Sequence, residues 1–155
     1  NSNGYAFKIA NQIKNSLISI YGTESSTDVI ASRFRAQLAE NAKVLSSHHS
    51  IPELDHNEIE GWNSNQFNNI KKTIVWFNDN DDHPQVIKRI KITSDIIGEF
   101  DVENIFIKIK GKNYITRSLK LLYLSDWISY YLAEINKVDP IPVNRIKTLK
   151  DKLLL

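Results

Sequence analysis

The chain has 155 residues, 41% of them hydrophobic and 25% charged, with 20 Lys and Arg against 18 Asp and Glu. One domain fits that length, and a core of that size needs no disulfide or metal to hold it. The formal charge of +2 excludes a polyelectrolyte role toward nucleic acid or an acidic membrane, which requires a clustered positive excess. Cysteine is absent, so a disulfide scaffold, a thiolate zinc site and a Cys nucleophile are excluded, and a cytoplasmic location is expected. No apolar run reaches the length of a membrane span, and the amino terminus is too polar for a signal peptide. Met is missing, position 1 included, so the chain is expected to be processed or cut from a longer one.

In chain order, residues 5–15 read as a helix. Leu17 to Tyr21 is a β-rich run stopped by Gly22. Ser25-Ser26-Thr27 offers a cap, after which Ile30, Phe34 and Leu38 recur at helical spacing to about Ala42. Val44 to Ser46 reads as a short strand, and residues 47–61 as a polar loop with a short helix opening near Asp55. Thr73 to Phe77 is a continuous apolar strand, the pattern of a sheet covered on both faces. Asn78 to Asp82 is a loop, followed by a helix from Asp82 and Pro84 to Ile97, ended by Gly98. Ile105 to Ile109 is a strand stopped by Gly111. Residues 114–136 form a long helix, apolar nearly all round, which belongs in the centre or at an interface. Asp139-Pro140-Ile141-Pro142 breaks it, and residues 143–154 form a last helix.

Strands alternating with helices predict an α/β fold, a mainly parallel sheet with helices on both faces. Ligands in such folds sit beyond the carboxyl ends of the strands, so the loops after Tyr21, Ser46, Phe77 and Ile109 are the first places to search.

Four constellations are candidates for chemistry. Arg33, Gln37 and Glu40, spaced i, i+4, i+7, share one flank of the second helix. Glu40 falls at its carboxyl end, where the macrodipole is negative and disfavours an ionised carboxylate, a condition that suits a proton acceptor. A solvated face with an Arg–Glu contact is the alternative. His48, His49, Glu53, Asp55, His56 and Glu58 form a cluster open to three readings: a zinc or manganese site without standard spacing, an acid–base His56, or a polar surface loop. The Asn78–Asp82 loop has no Gly at the sixth position of a calcium loop and reads as a solvated turn capping the next helix. Lys150 falls on the apolar stripe of Val143, Ile146 and Leu153, either snorkelling or pointing its ammonium into a site. There is no Gly-rich phosphate loop and no GxSxG elbow.

Three blocks together resemble a known family. They are Arg33-Phe34-Arg35-Ala36-Gln37-Leu38-Ala39-Glu40-Asn41-Ala42-Lys43, then Pro52 to Trp62 with its His56-Asn57-Glu58-x-x-Gly61-Trp62 pattern, then Ser125-Asp126-Trp127 within the long helix. With Val138 to Val143 and Leu149-Lys150, they resemble the bifunctional phosphoglucose/phosphomannose isomerases of archaea and bacteria, from about Ile18 to the end. The resemblance implies a sugar isomerase (SIS) fold of the flavodoxin-like three-layer kind, with two such domains per subunit and subunits paired in homodimers. This chain resembles the second domain, without the amino-terminal SIS domain that bears the phosphate loop.

The resemblance further implies roles. Glu40 matches the base that moves a proton between C1 and C2 of a sugar phosphate through a cis-enediolate. His56 matches the ring-opening histidine, supplied in the family by the neighbouring subunit. Lys150 matches the carboxyl-terminal lysine near the ring oxygen, with Lys147 as the fallback. Arg33, Gln37 and Asn57 are expected to bind substrate, with no metal or cofactor. Ile141 departs from the family, where many relatives carry Thr, and a nearby Thr is linked to mannose epimer handling. Two other functions are weighed against this one: a noncatalytic SIS domain that binds sugar phosphates or mediates dimerisation, and a metal-dependent hydrolase built on His48, His49 and His56.

Overall fold

The computed structural model describes residues 4–63 and 69–154. In order these form α1 (Tyr5–Ile13), β1 (Ser16–Thr23), α2 (Asp28–Glu40), β2 (Ser47–Ile51), a 3₁₀ turn (Glu53–His56), α3 (Glu58–Gly61), β3 (Lys71–Asn78), α4 (Pro84–Gly98), β4 (Val102–Lys108), α5 (Tyr114–Asn136) and α6 (Asn144–Leu153). The sheet has four strands in the order β2-β1-β3-β4, and every pairing is parallel.

Side chains alternate across the sheet as a two-residue period requires. On one face Ile18, Ile20, Val75, Phe77, Ile105 and Ile107 pack under α1, α2 and α5. On the other, Tyr21, Ile74 and Trp76 pack under Leu54, Trp62 and α4. The expected α/β sandwich is therefore present. β3 is buried along nearly its whole length, which explains its uninterrupted apolar sequence. α5 begins and ends where its pattern predicts, and the Asn113 side chain caps it by accepting a hydrogen bond from Thr116 N at 2.9 Å.

Three expectations are corrected. The second strand is Ser47–Ile51, not Val44 to Ser46. Among the described residues it is an edge strand paired with β1 alone, so most of its side chains stay part-exposed and its polar Ser-His-His-Ser sequence is tolerated. β1 does not stop at Gly22 but runs through it to Thr23. A Cβ at Gly22 would lie 2.6 Å from Asp28 Cα, so the glycine is there because the start of α2 crosses the strand at backbone contact.

The third correction concerns the acidic loop. Asp79 and Asp82 are buried, so the loop is not a solvated turn. Asp79 takes both Arg117 Nε and Nη2 at 2.7 Å, and Asp81 takes Nη2 at 2.5 Å. Asp82 accepts from Ser26 Oγ at 2.6 Å, Thr23 Oγ1 at 3.0 Å and Asp79 N at 2.7 Å. His83, not Asp82, caps α4, accepting from Gln85 N.

Candidate active site

The acidic latch occupies the carboxyl ends of β1 and β3, the place where open parallel sheets generally bind ligands. Its hydroxyls and its arginine are already committed to three aspartates, so the arrangement is closed to an anion. An open cleft lies at the opposite end of the sheet.

In a parallel sheet, helices that follow strands run back toward the strands' amino ends. α2 and α5 both finish there, and their ends frame a cleft of about 680 Å³. One wall is the end of α2 and its turn, Ala39, Glu40, Lys43 and Val44, and the other is the 138–146 segment with Asp139, Pro142, Val143, Arg145 and Ile146. Glu40 is the last residue of α2 and is exposed to the cleft. The chain then turns through Lys43, which has a left-handed φ of 57°, and Val44 N returns to Leu38 O at 3.1 Å. Lys43 Nζ donates to Glu40 O at 2.6 Å and to Pro142 O at 2.8 Å, joining the two walls.

Arg33 and Gln37 do not line this cleft. Arg33 Nη1 and Gln37 Nε2 both donate to Asp126 Oδ1 on α5, at 2.5 and 2.6 Å. One turn further, Asn41 Nδ2 donates to Ser129 Oγ at 2.8 Å. Residues spaced by four thus form a ladder of polar contacts holding α2 against α5. The expected shared flank with Glu40 resolves into two jobs: Arg33 and Gln37 fix the helix, and Glu40 alone faces the cleft. The Arg–Glu contact is absent, because Asp126 holds Arg33. Asp126 was missed as the partner; an acidic residue within an apolar helix was the available signal.

The Pro52–Trp62 block is pinned at both ends. Asp55 accepts from Thr93 Oγ1 at 2.8 Å and from Arg89 Nη1 at 3.3 Å on α4. Asn57 caps α3 by accepting from Glu58 N at 2.6 Å, and its amide donates to Glu53 at 3.1 Å. Tyr21 on β1 donates its hydroxyl proton to Glu58 Oε1 at 2.5 Å and accepts from Trp62 Nε1 at 2.9 Å. The His-Asn-Glu-x-x-Gly-Trp pattern is thereby explained: Asn57, Glu58 and Trp62 clamp the segment, while His56, just before them, stays exposed. The segment's buried anchors, Leu54 and Trp62, lie on the α4 face of the sheet, whereas α2 lies on the other. Within one chain the sheet therefore separates His56 from Glu40, and the Glu40 cleft contains no residue of the His56 segment.

The remaining members of the histidine cluster are spent separately. His48 Nε2 pairs with Asp28 Oδ1 at 2.8 Å, and His49 Nδ1 accepts from Ser50 N. Among the described residues no three His, Asp or Glu side chains converge as a metal site would need. Lys150 and Lys147 are exposed on α6. Ile146 lines the Glu40 cleft, and Lys150 stands one turn beyond it on the same stripe. No helix among the described residues is long and apolar enough to cross a membrane.

This is an open parallel α/β domain whose candidate chemistry lies at the strands' amino ends, facing outward from the sheet. Comparison with known proteins makes the class specific. Residues 2–153 match the family described as the bacterial phospho-glucose isomerase C-terminal SIS domain, and the chain belongs to that family.

Two curated relatives are named bifunctional phosphoglucose/phosphomannose isomerase. That of Aquifex aeolicus is 38% identical over 146 residues, which is 94% of this chain and 45% of the relative. That of Caldicellulosiruptor bescii is 36% identical over 153 residues, 96% of this chain and 44% of the relative. The chain therefore spans a little under half the length of these relatives. A solved glucose-6-phosphate isomerase-like protein of Thermus thermophilus superposes with a TM-score of 0.71 at 18% identity, over 97% of this chain and 48% of its own. At that identity the likeness concerns the fold.

Proposed function

We propose that this domain supplies the proton-transferring half of a phosphoglucose/phosphomannose isomerase. In this reading the Glu40 carboxylate removes the weakly acidic hydrogen beside the sugar carbonyl. It returns the proton to the neighbouring carbon through a cis-enediolate, interconverting glucose 6-phosphate, and mannose 6-phosphate, with fructose 6-phosphate. His56 opens the pyranose ring, and Lys150 approaches the ring oxygen. The observation that carries the reading is the placing of Glu40 in the wall of a cleft whose other wall leads into α6.

Among the described residues no Gly, Ser or Thr lines the open cleft, so an amino-terminal SIS domain would complete it and contribute the phosphate loop. The separation of His56 from Glu40 by the sheet fits a homodimer in which each site takes its histidine from the partner, in a cytoplasmic enzyme. Two uncovered apolar surfaces support further packing: the α5 stripe of Ile115, Leu119 and Tyr123, 68%, 60% and 65% exposed, and the α6 face of Ile146 and Leu149. Arg33, Gln37 and Asn57, expected to touch substrate, act in this reading by holding the groups that do.

The test is Glu40→Gln in the full-length protein, assayed with fructose 6-phosphate and glucose 6-phosphate. The amide keeps the shape and removes the base, so turnover falls by about a thousandfold or more while substrate binding persists. Substantial retained turnover removes Glu40 as the base, whereas a parent protein without turnover leaves a noncatalytic sugar-phosphate domain.

A further inference from the structure

We propose that Lys43 is a positioning residue for Glu40, setting the width of the cleft by tying its two walls together; the proposal rests on the reading of Glu40 as the base. The end of a helix leaves carbonyl oxygens without partners. The usual solution is a glycine in the left-handed conformation just past the end, since that conformation crowds a Cβ. Here the left-handed position, with φ of 57°, is a lysine. The side chain explains why glycine does not stand there. Its ammonium donates to Glu40 O, on the residue that bears the carboxylate, at 2.6 Å. It donates equally to Pro142 O at 2.8 Å, 99 residues away.

Both acceptors are backbone carbonyls, so the contact leaves the Glu40 carboxylate free. Pro142 lies two residues before α6, so the same ammonium fixes where Val143, Arg145 and Ile146 enter the cleft and from what angle α6 carries Lys150 forward. The ammonium also opposes the negative end of the α2 dipole. A general base displaced by about 1 Å can lose on the order of a hundredfold in rate, so a tie between the base's own residue and the facing wall acts on catalysis without touching substrate.

The test compares Lys43→Gly, Lys43→Arg and Glu40→Gln in the full-length protein, measuring kcat, KM and thermal unfolding. Lys43→Gly suits the left-handed turn better than lysine does, so the fold persists while the tie is lost. The expected result is a fall in kcat of about tenfold or more with KM changed less than threefold and no loss of melting temperature, partly restored by Lys43→Arg, whose guanidinium carries several donors. A kcat for Lys43→Gly near that of the parent, alongside an inactive Glu40→Gln, overturns the role of Lys43 and leaves Glu40 as base. A fall in kcat matching a loss of folded protein, or Lys43→Arg as slow as Lys43→Gly, also overturns it. An active Glu40→Gln overturns both assignments.

Discussion

One phenol oxygen holds the His56 segment to the sheet. Tyr21 is almost wholly buried, donates to Glu58 and accepts from Trp62. Burial first, and the Glu58 carboxylate second, push its ionisation far above the ordinary value of 10.0. The unfolded chain keeps that ordinary value. Below it both states are protonated and the stabilisation is complete. As pH rises past about 10 the unfolded chain sheds a proton that the folded chain retains, so stability declines. Tyr21→Phe strands the Glu58 carboxylate and the Trp62 N–H, and should cost about 1–3 kcal/mol in denaturant unfolding at neutral pH. The same variant should lose Tyr21's part of the alkaline decline. A variant as stable as the parent would show that the clamp is unimportant. From the sequence, the block containing His56 was legible as a motif, but Tyr21 read only as one more strand residue. Its role depends on a contact 37 residues along the chain, which no local pattern encodes.

At the scale of elements, α2 is an arm that delivers Glu40 and Lys43, so its seating governs the proposed site. Phe34 has no exposed surface and stacks on Phe77 of β3 at 5.7 Å. Phe34→Ala should destabilise the domain by about 3–5 kcal/mol, from lost transfer energy and the cavity left behind, read as a fall in the unfolding midpoint. The Arg33–Asp126 pair is 45% and 42% exposed on its two sides, and contributes at most about 1 kcal/mol; it sets orientation more than stability.

The Asp79–Arg117 latch joins β3's end to α5. Arg117's hydrogen bonds are the largest influence holding the Asp79 carboxyl below its ordinary 3.8. Its stabilisation is therefore present above that value and disappears as pH falls through the depressed one. Asp79→Asn should be less stable at neutrality and should show a shallower further loss on acidification, followed by circular dichroism; an unchanged acid limb would count against the latch.

Elements differed in how far the sequence revealed them. α5 was readable because its length and its apolar run agree. β2 was not, because an edge strand needs little apolar surface. The latch was not readable either: five polar residues in a row look like solvent-facing loop unless Arg117, on a largely apolar helix, is matched to them.

For the whole molecule, the packing of α2 and of the His56 segment on opposite faces of the sheet has a direct consequence for the proposed dimer. If each site draws Glu40 from one subunit and His56 from the other, Glu40→Gln and His56→Ala homodimers are both impaired. A hybrid made by mixing the two, unfolding and refolding them together, has one site carrying both substitutions and one carrying neither. Random pairing makes half the dimers hybrids, so the mixture should regain about a quarter of parental activity. If instead both residues of a site come from one chain, every site in the mixture keeps one substitution and activity stays at the level of the separate variants. EDTA should leave the regained activity unchanged, since the His48 and His49 side chains are committed to Asp28 and Ser50, whereas a hydrolase using that cluster would lose it. The exposed α5 stripe supplies a control on assembly. Leu119→Asp and Tyr123→Asp place charge on a face that is already solvent-exposed in the isolated domain, so the domain's own melting should move little. If that face is covered in the full-length protein, the same substitutions should shift its elution toward smaller species and abolish the complementation.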